Sequence, residues 1–354
     1  MLSKSNHELI NMFGSRIIAD IYNSSKNAIK LSYEFIKNIP SLYIRKITEW
    51  KDYAMDFRYR LNNLRDSNFA LGLYHLERQN LNDAIIRFKL VDKFFKSNDP
   101  EANYWLGWCY FLKNNPNKAL KHLQNSLNID KVGLGKFLLN YQNCQEVPKD
   151  ILTMYRDFTA AQYISKFNSD KVHLPYSFTQ KIMDNIKDIP DEYNILELGS
   201  NVGIAGYEIV KRLPDTFYYT GVETSQKMQD LVNIYYQNYN IYDEQLKTSL
   251  ADFIKDTKTN KYDIILSFCG LSFTKNLAPI FSAIYELINN NGYFAFCLPT
   301  NKQTEFSLKR NEFIYNINDL KDVVMSSKFT LLSYEELTLG INNNFAIFVC
   351  RKVE

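Results

Sequence analysis

The sequence predicts two joined architectures: an all-α half over about the first 150 residues, and beyond it an α/β half built on a mostly parallel sheet. Three observations predict this. In the first half proline is rare and apolar residues recur at helical spacing, as in Leu9, Ile10, Phe13, Ile17, Ile18 and Ile21. From about residue 193, short apolar runs alternate with amphipathic segments. The charge also changes sign: residues 1–150 carry 22 Lys+Arg against 15 Asp+Glu, and residues 151–354 carry 20 against 24.

Composition bounds the function. The chain has 354 residues, 45% of them hydrophobic and 23% charged. That length suits two domains, and that composition excludes disordered, collagenous and coiled-coil classes. No run of 18 apolar residues is present, so no transmembrane segment is expected. Met1–Glu8 has no apolar h-region, so no secretory signal is expected. Five widely spaced cysteines, an odd number, argue against a disulfide framework or a zinc site and fit a reducing cytoplasm. The basic residues of the first half are scattered among acidic ones, so no nucleic-acid partner is expected.

The helical half contains two similar segments. Leu71-Gly72 is followed by Ala84 and Phe88, and Leu106-Gly107 by Ala119 and Leu123, at an offset of 35 residues. Small residues at that period mark the crossing of paired antiparallel helices, with Asn114-Asn115-Pro116 as the turn of the second pair. The pattern resembles tetratricopeptide (TPR) repeats. Residues 27–60, or a helix from about 131, would flank them. The resemblance implies either a groove for a protein partner or a scaffold packed on the second half. The aromatics Tyr104, Trp105, Trp108, Tyr110 and Phe111 favour the scaffold, because repeat helices bury most of their aromatic residues. Within residues 1–60, the helix Tyr43–Arg60 is expected to pack as an amphipathic element.

In the second half, strands are expected at Tyr193–Leu198, Phe217–Glu223, Gln245–Leu250, Tyr262–Phe268, Gly292–Leu298, Thr330–Thr338 and Asn344–Arg351. Helices are expected at Ile204–Leu213 (stopped by Pro214), Ser225–Tyr239, Ala278–Asn289 and Asp319–Ser326. Strand–helix alternation implies right-handed crossovers and a parallel sheet, whereas the short loop around Gly340 makes the last two strands antiparallel.

The segment Glu197-Leu198-Gly199-Ser200-Asn201-Val202-Gly203 makes a tight strand-to-helix turn of bare backbone. Asn201 stands where a glycine is usual, and asparagine tolerates a left-handed backbone. Glu223 ends the second strand, followed by Thr224, at the distance where a carboxylate takes ribose hydroxyls. Leu250-Ala251-Asp252-Phe253 follows the third strand, and Ser267-Phe268-Cys269-Gly270 ends the fourth. The dinucleotide fingerprint G-x-G-x-x-G does not fit, since its second glycine is missing and its third displaced.

These motifs, in this order, resemble the seven-stranded Rossmann-like fold of class I S-adenosyl-L-methionine (SAM) methyltransferases. The whole chain resembles predicted TPR-containing members of that class, over roughly residues 65–351. The resemblance implies domains at 1–60 (N-terminal helices), 61–147 (TPR-like repeats), 148–190 (linker) and 191–354 (SAM domain). It implies SAM as cofactor. Glu197, Gly199, Ser200, Asn201 and Gly203 would hold its methionine end, Glu223 and Thr224 the ribose, and Asp252 and Phe253 the adenine. Ser267 and Phe268 would lie beside the transferring methyl. Tyr155 and Tyr163, with Phe158, would cover the site from the linker.

The catalytic group is unassigned. His173 lies in the linker, where a hydrogen-bonding role is expected, and Cys269 sits in an apolar strand end where thiols are usually inert. No His/Asp/Glu cluster has metal-ligand spacing. Three functions follow in order: methyl transfer to a small-molecule or lipid-like acceptor, methyl transfer to a protein recruited by the repeats, and an adaptor without enzymatic activity. An enclosed pocket under Tyr155 and Tyr163 would favour the first.

Overall fold

The computed structural model describes residues 44–95, 97–167, 173–187, 191–213, 217–256, 261–341 and 343–353. The helical spacing expected within residues 1–43 and the helix stop expected at Pro214 lie outside this set. The chain divides into two compact units, 1–64 and 65–354. Of the first, only residues 44–64 are described, as the leading part of helix α1 (Ile44–Glu77).

The second unit opens with helices arranged as antiparallel pairs: the end of α1 with α2 (Leu81–Leu90), then α3 (Pro100–Leu112) with α4 (Pro116–Leu123). Helix α5 (Leu134–Asn140) follows. Local chemistry sets the ends. Asp99 accepts hydrogen bonds from the Glu101 and Ala102 N–H groups, and Pro100 opens α3 where its missing donor is harmless. Asn114 turns the chain in a left-handed conformation, Asn115 accepts from the Lys118 N–H, and Pro116 opens α4. The two glycines sit at close crossings: a Cβ on Gly72 would fall 2.6 Å from the Phe88 ring, and one on Gly107 would fall 2.5 Å from Leu123 Cγ. Trp108, Tyr110 and Phe111 are buried, and Tyr104 and Trp105 half-buried.

Helix α6 (Lys149–Thr159) and two short turns, Ala160–Gln162 and Ile164–Phe167, lead to α7 (Leu174–Asn185). His173 caps α7, its Nδ1 accepting from the Tyr176 N–H at 3.1 Å. The α/β part then runs β1 (Tyr193–Leu198), α8 (Ile204–Val210), β2 (Phe217–Glu223), α9 (Gln226–Tyr235), β3 (Glu244–Lys247), α10 (Leu250–Asp256), β4 (Tyr262–Phe268), α11 (Ala278–Leu287) and β5 (Ile288–Asn301). A hairpin, β6 (Glu305–Ser307) and β7 (Glu312–Asn316), precedes α12 (Ile317–Ser326), β8 (Phe329–Thr338) and β9 (Asn344–Lys352).

β1 pairs parallel with β2 and β4, β2 with β3, and β4 with β5. β9 inserts antiparallel between β5 and β8. The order β3-β2-β1-β4-β5-β9-β8 contains all seven expected strands. Several element ends are corrected: α8 stops at Val210, short of Leu213, and β5 starts at Ile288, so α11 stops at Leu287. The third strand ends at Lys247 because Ser249 turns the chain, its hydroxyl accepting from the Asp252 N–H, so Leu250–Asp256 is helical. The helix expected to reach Tyr239 ends at Tyr235. The hairpin β6–β7 is additional, and β7 pairs parallel with the end of β5 at Thr300 and Asn301. Its strands of three and five residues carry too little periodicity to register.

Two apolar clusters cover the sheet. One lies under α7, α8 and α9; the other joins the opposite face to the helical pairs through residues such as Phe111, Phe137, Phe273 and Phe306. No helix among the described residues is long and apolar enough to cross a membrane.

Candidate functional site

The carboxyl ends of β1, β2 and β4 gather most of the residues singled out by sequence. Gly199, Asn201 and Gly203 all adopt left-handed backbone, at φ 72°, 54° and 74°. The turn also needs Gly199 for space: a Cβ there would lie 2.5 Å from Gly270 Cα, because the exits of β1 and β4 touch. Asn201 locks the turn from its side chain, donating to the carbonyls of Gly199 and, at 3.1 Å, Phe268. Glycine could not make those bonds; asparagine adopts the left-handed backbone it was expected to tolerate and ties the turn to β4 as well.

Glu197 is fully buried on β1. Its Oε2 accepts from the Tyr219 hydroxyl at 2.7 Å and the Tyr242 hydroxyl at 2.8 Å, while Oε1 has no partner. Burial pushes this carboxyl up to about 7, against the pull of the two tyrosines. Ser200 Oγ nearby is likewise buried and unbonded.

Glu223 is buried at the end of β2, where it accepts from the Asn201 N–H at 3.0 Å and the Ser225 N–H at 2.8 Å. Its main partner comes from α6: Arg156 donates from Nε at 2.8 Å and from a terminal nitrogen to both Glu223 and Asn201. Burial alone would lower the Arg156 pKa, but the adjacent Glu223 charge outweighs it and holds the guanidinium charged. Thr224 exchanges a 2.8 Å hydroxyl bond with Thr153 of the same helix. Helix α6 therefore clasps the β2 edge. Arg156 was not singled out by sequence; its position beside Tyr155 was the only signal.

Asp252 is half-exposed on α10 and paired with Lys149 at 2.6 Å. Phe253 is buried behind it. Ser267 is buried and donates to the Leu198 carbonyl at 2.8 Å, tying β4 to β1, while Phe268 packs against Phe167 and Phe178.

Tyr155 and Tyr163 line a cavity of about 260 Å³ with Arg156, Lys166, Met228, Cys269 and Glu312 among its other walls. Tyr155 donates to the Arg310 carbonyl at 3.2 Å. Phe158 turns the other way, against Trp105 and Trp108. Cys269 has φ 57°, a strained backbone for this residue type. Glu312, on the unexpected hairpin, is 2% exposed and meets Lys166 at 3.1 Å and Arg310 at 2.6 Å. Burial pushes its carboxyl up, but Lys166 and Arg310 outweigh that and hold it below its ordinary value. Among the described residues no cluster of His, Cys, Asp and Glu could hold a metal ion.

Residues 171–334 match the family model described as a methyltransferase domain. A curated relative, malonyl-[acyl-carrier protein] O-methyltransferase 1 of Ilyobacter polytropus, is 29% identical over 162 residues, covering 44% of this chain and 54% of the relative. The chain thus spans about half the length of the curated relative it matches. Among solved structures, phosphoethanolamine N-methyltransferase 2 of Haemonchus contortus superposes with a TM-score of 0.47 at 13% identity, over 58% of this chain and 60% of that one. Geranyl diphosphate C-methyltransferase of Streptomyces coelicolor does so with a TM-score of 0.41 at 11% identity, over 50% and 76%. With the strand order, the glycine turn after β1 and the carboxylate ending β2, the family match makes residues 171–334 a class I domain of the S-adenosylmethionine-dependent methyltransferases.

Proposed function

We propose that this protein transfers a methyl group from SAM to a small-molecule acceptor. The observation that carries the reading is the convergence of the Gly199–Gly203 turn, Glu197 and Glu223 at one sheet edge, next to a cavity of about 260 Å³ lined by Tyr155 and Tyr163. The residues fit the cofactor: the buried, unbonded Glu197 Oε1 and the left-handed backbone at Gly199 and Gly203 suit an amino-acid end, and Glu223 suits a ribose. SAM would supply a methyl on a positively charged sulfur. The protein's part is to position the acceptor and exclude water, since in-line transfer between held partners gains most of its rate from proximity.

Arg156 must release Glu223 before a ribose can take it, so α6 has a part in cofactor entry. The O-methyltransferase named among the relatives supports a small acceptor or a carrier-borne one. The matched crossings at Gly72 and Gly107 support reading the helical pairs as TPR-like. Their buried aromatics support a scaffold for α6 over a groove for a protein substrate.

Calorimetric titration with SAM and S-adenosylhomocysteine tests the reading. Micromolar binding that weakens at least about tenfold in Glu223→Ala is expected, the loss of a charged hydrogen-bond acceptor. Absence of binding to either ligand would overturn it.

A further inference from the structure

We infer that the cavity under Tyr155 and Tyr163 is the acceptor pocket and that it takes an acceptor bearing a carboxylate, held by Lys166. The inference rests on the methyltransferase reading and names the substrate class of that site.

The charges of the cavity do not balance. Glu312 is buried on β7, and Arg310 suffices to neutralise it. Arg310 is fixed in place by its 2.6 Å bonds to Glu312 and to Asn343, and by Tyr155 on its carbonyl. Lys166 is then a surplus cation, brought in by the Ile164–Phe167 turn. Its ammonium contacts both Glu312 oxygens, at 3.1 and 3.2 Å, yet carries three N–H groups.

The hydrogen-bonding inventory points the same way. Thr159 and Ser165 spend their hydroxyl protons on the carbonyls of Tyr155 and Gln162. The Tyr163 hydroxyl makes no hydrogen bond with the described residues, and its ring lines the cavity beside the Gln162 amide. The available donors are therefore Lys166, Tyr163 and Gln162, a set that recognises anionic oxygen.

A carboxylate also suits the chemistry. It arrives ionised, and Glu312, engaged by two cations, is a poor base. One carboxylate oxygen forms the new C–O bond as the methyl–sulfur bond breaks, with that electron pair staying on sulfur. Anion and sulfonium become neutral ester and thioether, and no proton has to leave.

Such a carboxylate could come from the acceptor or from the methionine end of the cofactor, and the experiment separates them. Hexanoate, hexylamine and hexanol differ only in their head groups. Their binding to protein saturated with S-adenosylhomocysteine can be followed by saturation-transfer NMR, for wild type, Lys166→Gln and Tyr163→Phe. Hexanoate is expected to bind at least about tenfold more tightly than the other two. Lys166→Gln should erase that preference with S-adenosylhomocysteine affinity unchanged, and Tyr163→Phe should reduce it. Preference for hexylamine, or equal or undetectable binding of all three probes, overturns the inference while the cofactor reading stands. A loss of S-adenosylhomocysteine affinity in Lys166→Gln with hexanoate binding intact assigns Lys166 to the cofactor and also overturns it. Failure of wild type to bind S-adenosylhomocysteine overturns both readings.

Discussion

Replacing Glu197 by glutamine should change the pH dependence of stability by a predictable amount. The carboxyl sits at about 7 in the fold, against 4.5 for a free side chain. Between those values the folded protein keeps a proton that the unfolded chain releases. Its contribution is therefore neutral below about pH 4.5, turns unfavourable as pH rises, and is fully unfavourable above about 7. The gap of about 2.5 pH units, at about 1.4 kcal/mol each, amounts to about 3 kcal/mol. Glutamine keeps an acceptor for Tyr219 and Tyr242 but places amide protons where Oε1 has no partner, a cost of about 1–3 kcal/mol at every pH. The informative quantity is thus the difference between conditions. Urea unfolding without cofactor should show the variant gaining about 2.5 kcal/mol on wild type between pH 5 and pH 8, since about 0.8 kcal/mol of the difference is already present at pH 5. An equal difference at both values would refute the argument. The same group should report the cofactor: an ammonium at Oε1 lowers its pKa, so binding S-adenosylhomocysteine at pH 6 releases a proton. The heat of binding will then vary with the buffer's ionisation enthalpy, and Glu197→Gln will remove that variation.

Arg156→Met should tighten S-adenosylhomocysteine binding by about tenfold, because Glu223 no longer has to be freed. It should also lower stability by about 3 kcal/mol through the buried charge left behind; weaker binding in fluorescence titration would make Arg156 a ligand and not a competitor. Gly107→Ala drives a Cβ against Leu123 and should lose about 1–3 kcal/mol in thermal unfolding, leaving cofactor affinity unchanged. Ser267→Ala removes the tie between β4 and β1 and should lose about 1 kcal/mol or somewhat more, because the Leu198 carbonyl is buried; no loss in urea titration would mean the bond is not formed in solution.

The parts of the site legible in the sequence were those made by neighbours along the chain. A strand end, a left-handed turn and a helix start fit within seven residues, so Glu197–Gly203 carried its own signature, as did Glu223 at the next strand end. Arg156 did not, because its role depends on a partner 67 residues away, and an arginine in an amphipathic helix looks the same whether it faces water or a buried carboxylate. Glu312 was hidden for a related reason. It lies on a strand of five residues that exists because the end of β5 offers it a pairing edge, a tertiary fact. The Lys149 partner of Asp252 was hidden in the same way, 103 residues away along the chain.

Helix α6 is where these local and distant features meet. Phe158 packs on Trp105 and Trp108, and Tyr155 on Phe111, so one side of the helix belongs to the helical pairs. From the other side Arg156 holds Glu223 and Asn201, and Thr153 holds Thr224. A movement of α6 that frees Glu223 for a ribose must therefore either carry the helical pairs with it or break apolar contacts with them. Burying an aromatic side chain contributes about 1.5–3 kcal/mol, enough to bias such a movement by at least about tenfold. On the proposed reading, the helical half thus sets how readily the β2 edge opens to the cofactor without touching either substrate. Shortening Phe158 to leucine should loosen that hold, raising the on-rate for S-adenosylhomocysteine in stopped-flow while Glu223 and its partners stay intact. An unchanged on-rate would mean that α6 releases Arg156 by a side-chain rotation alone.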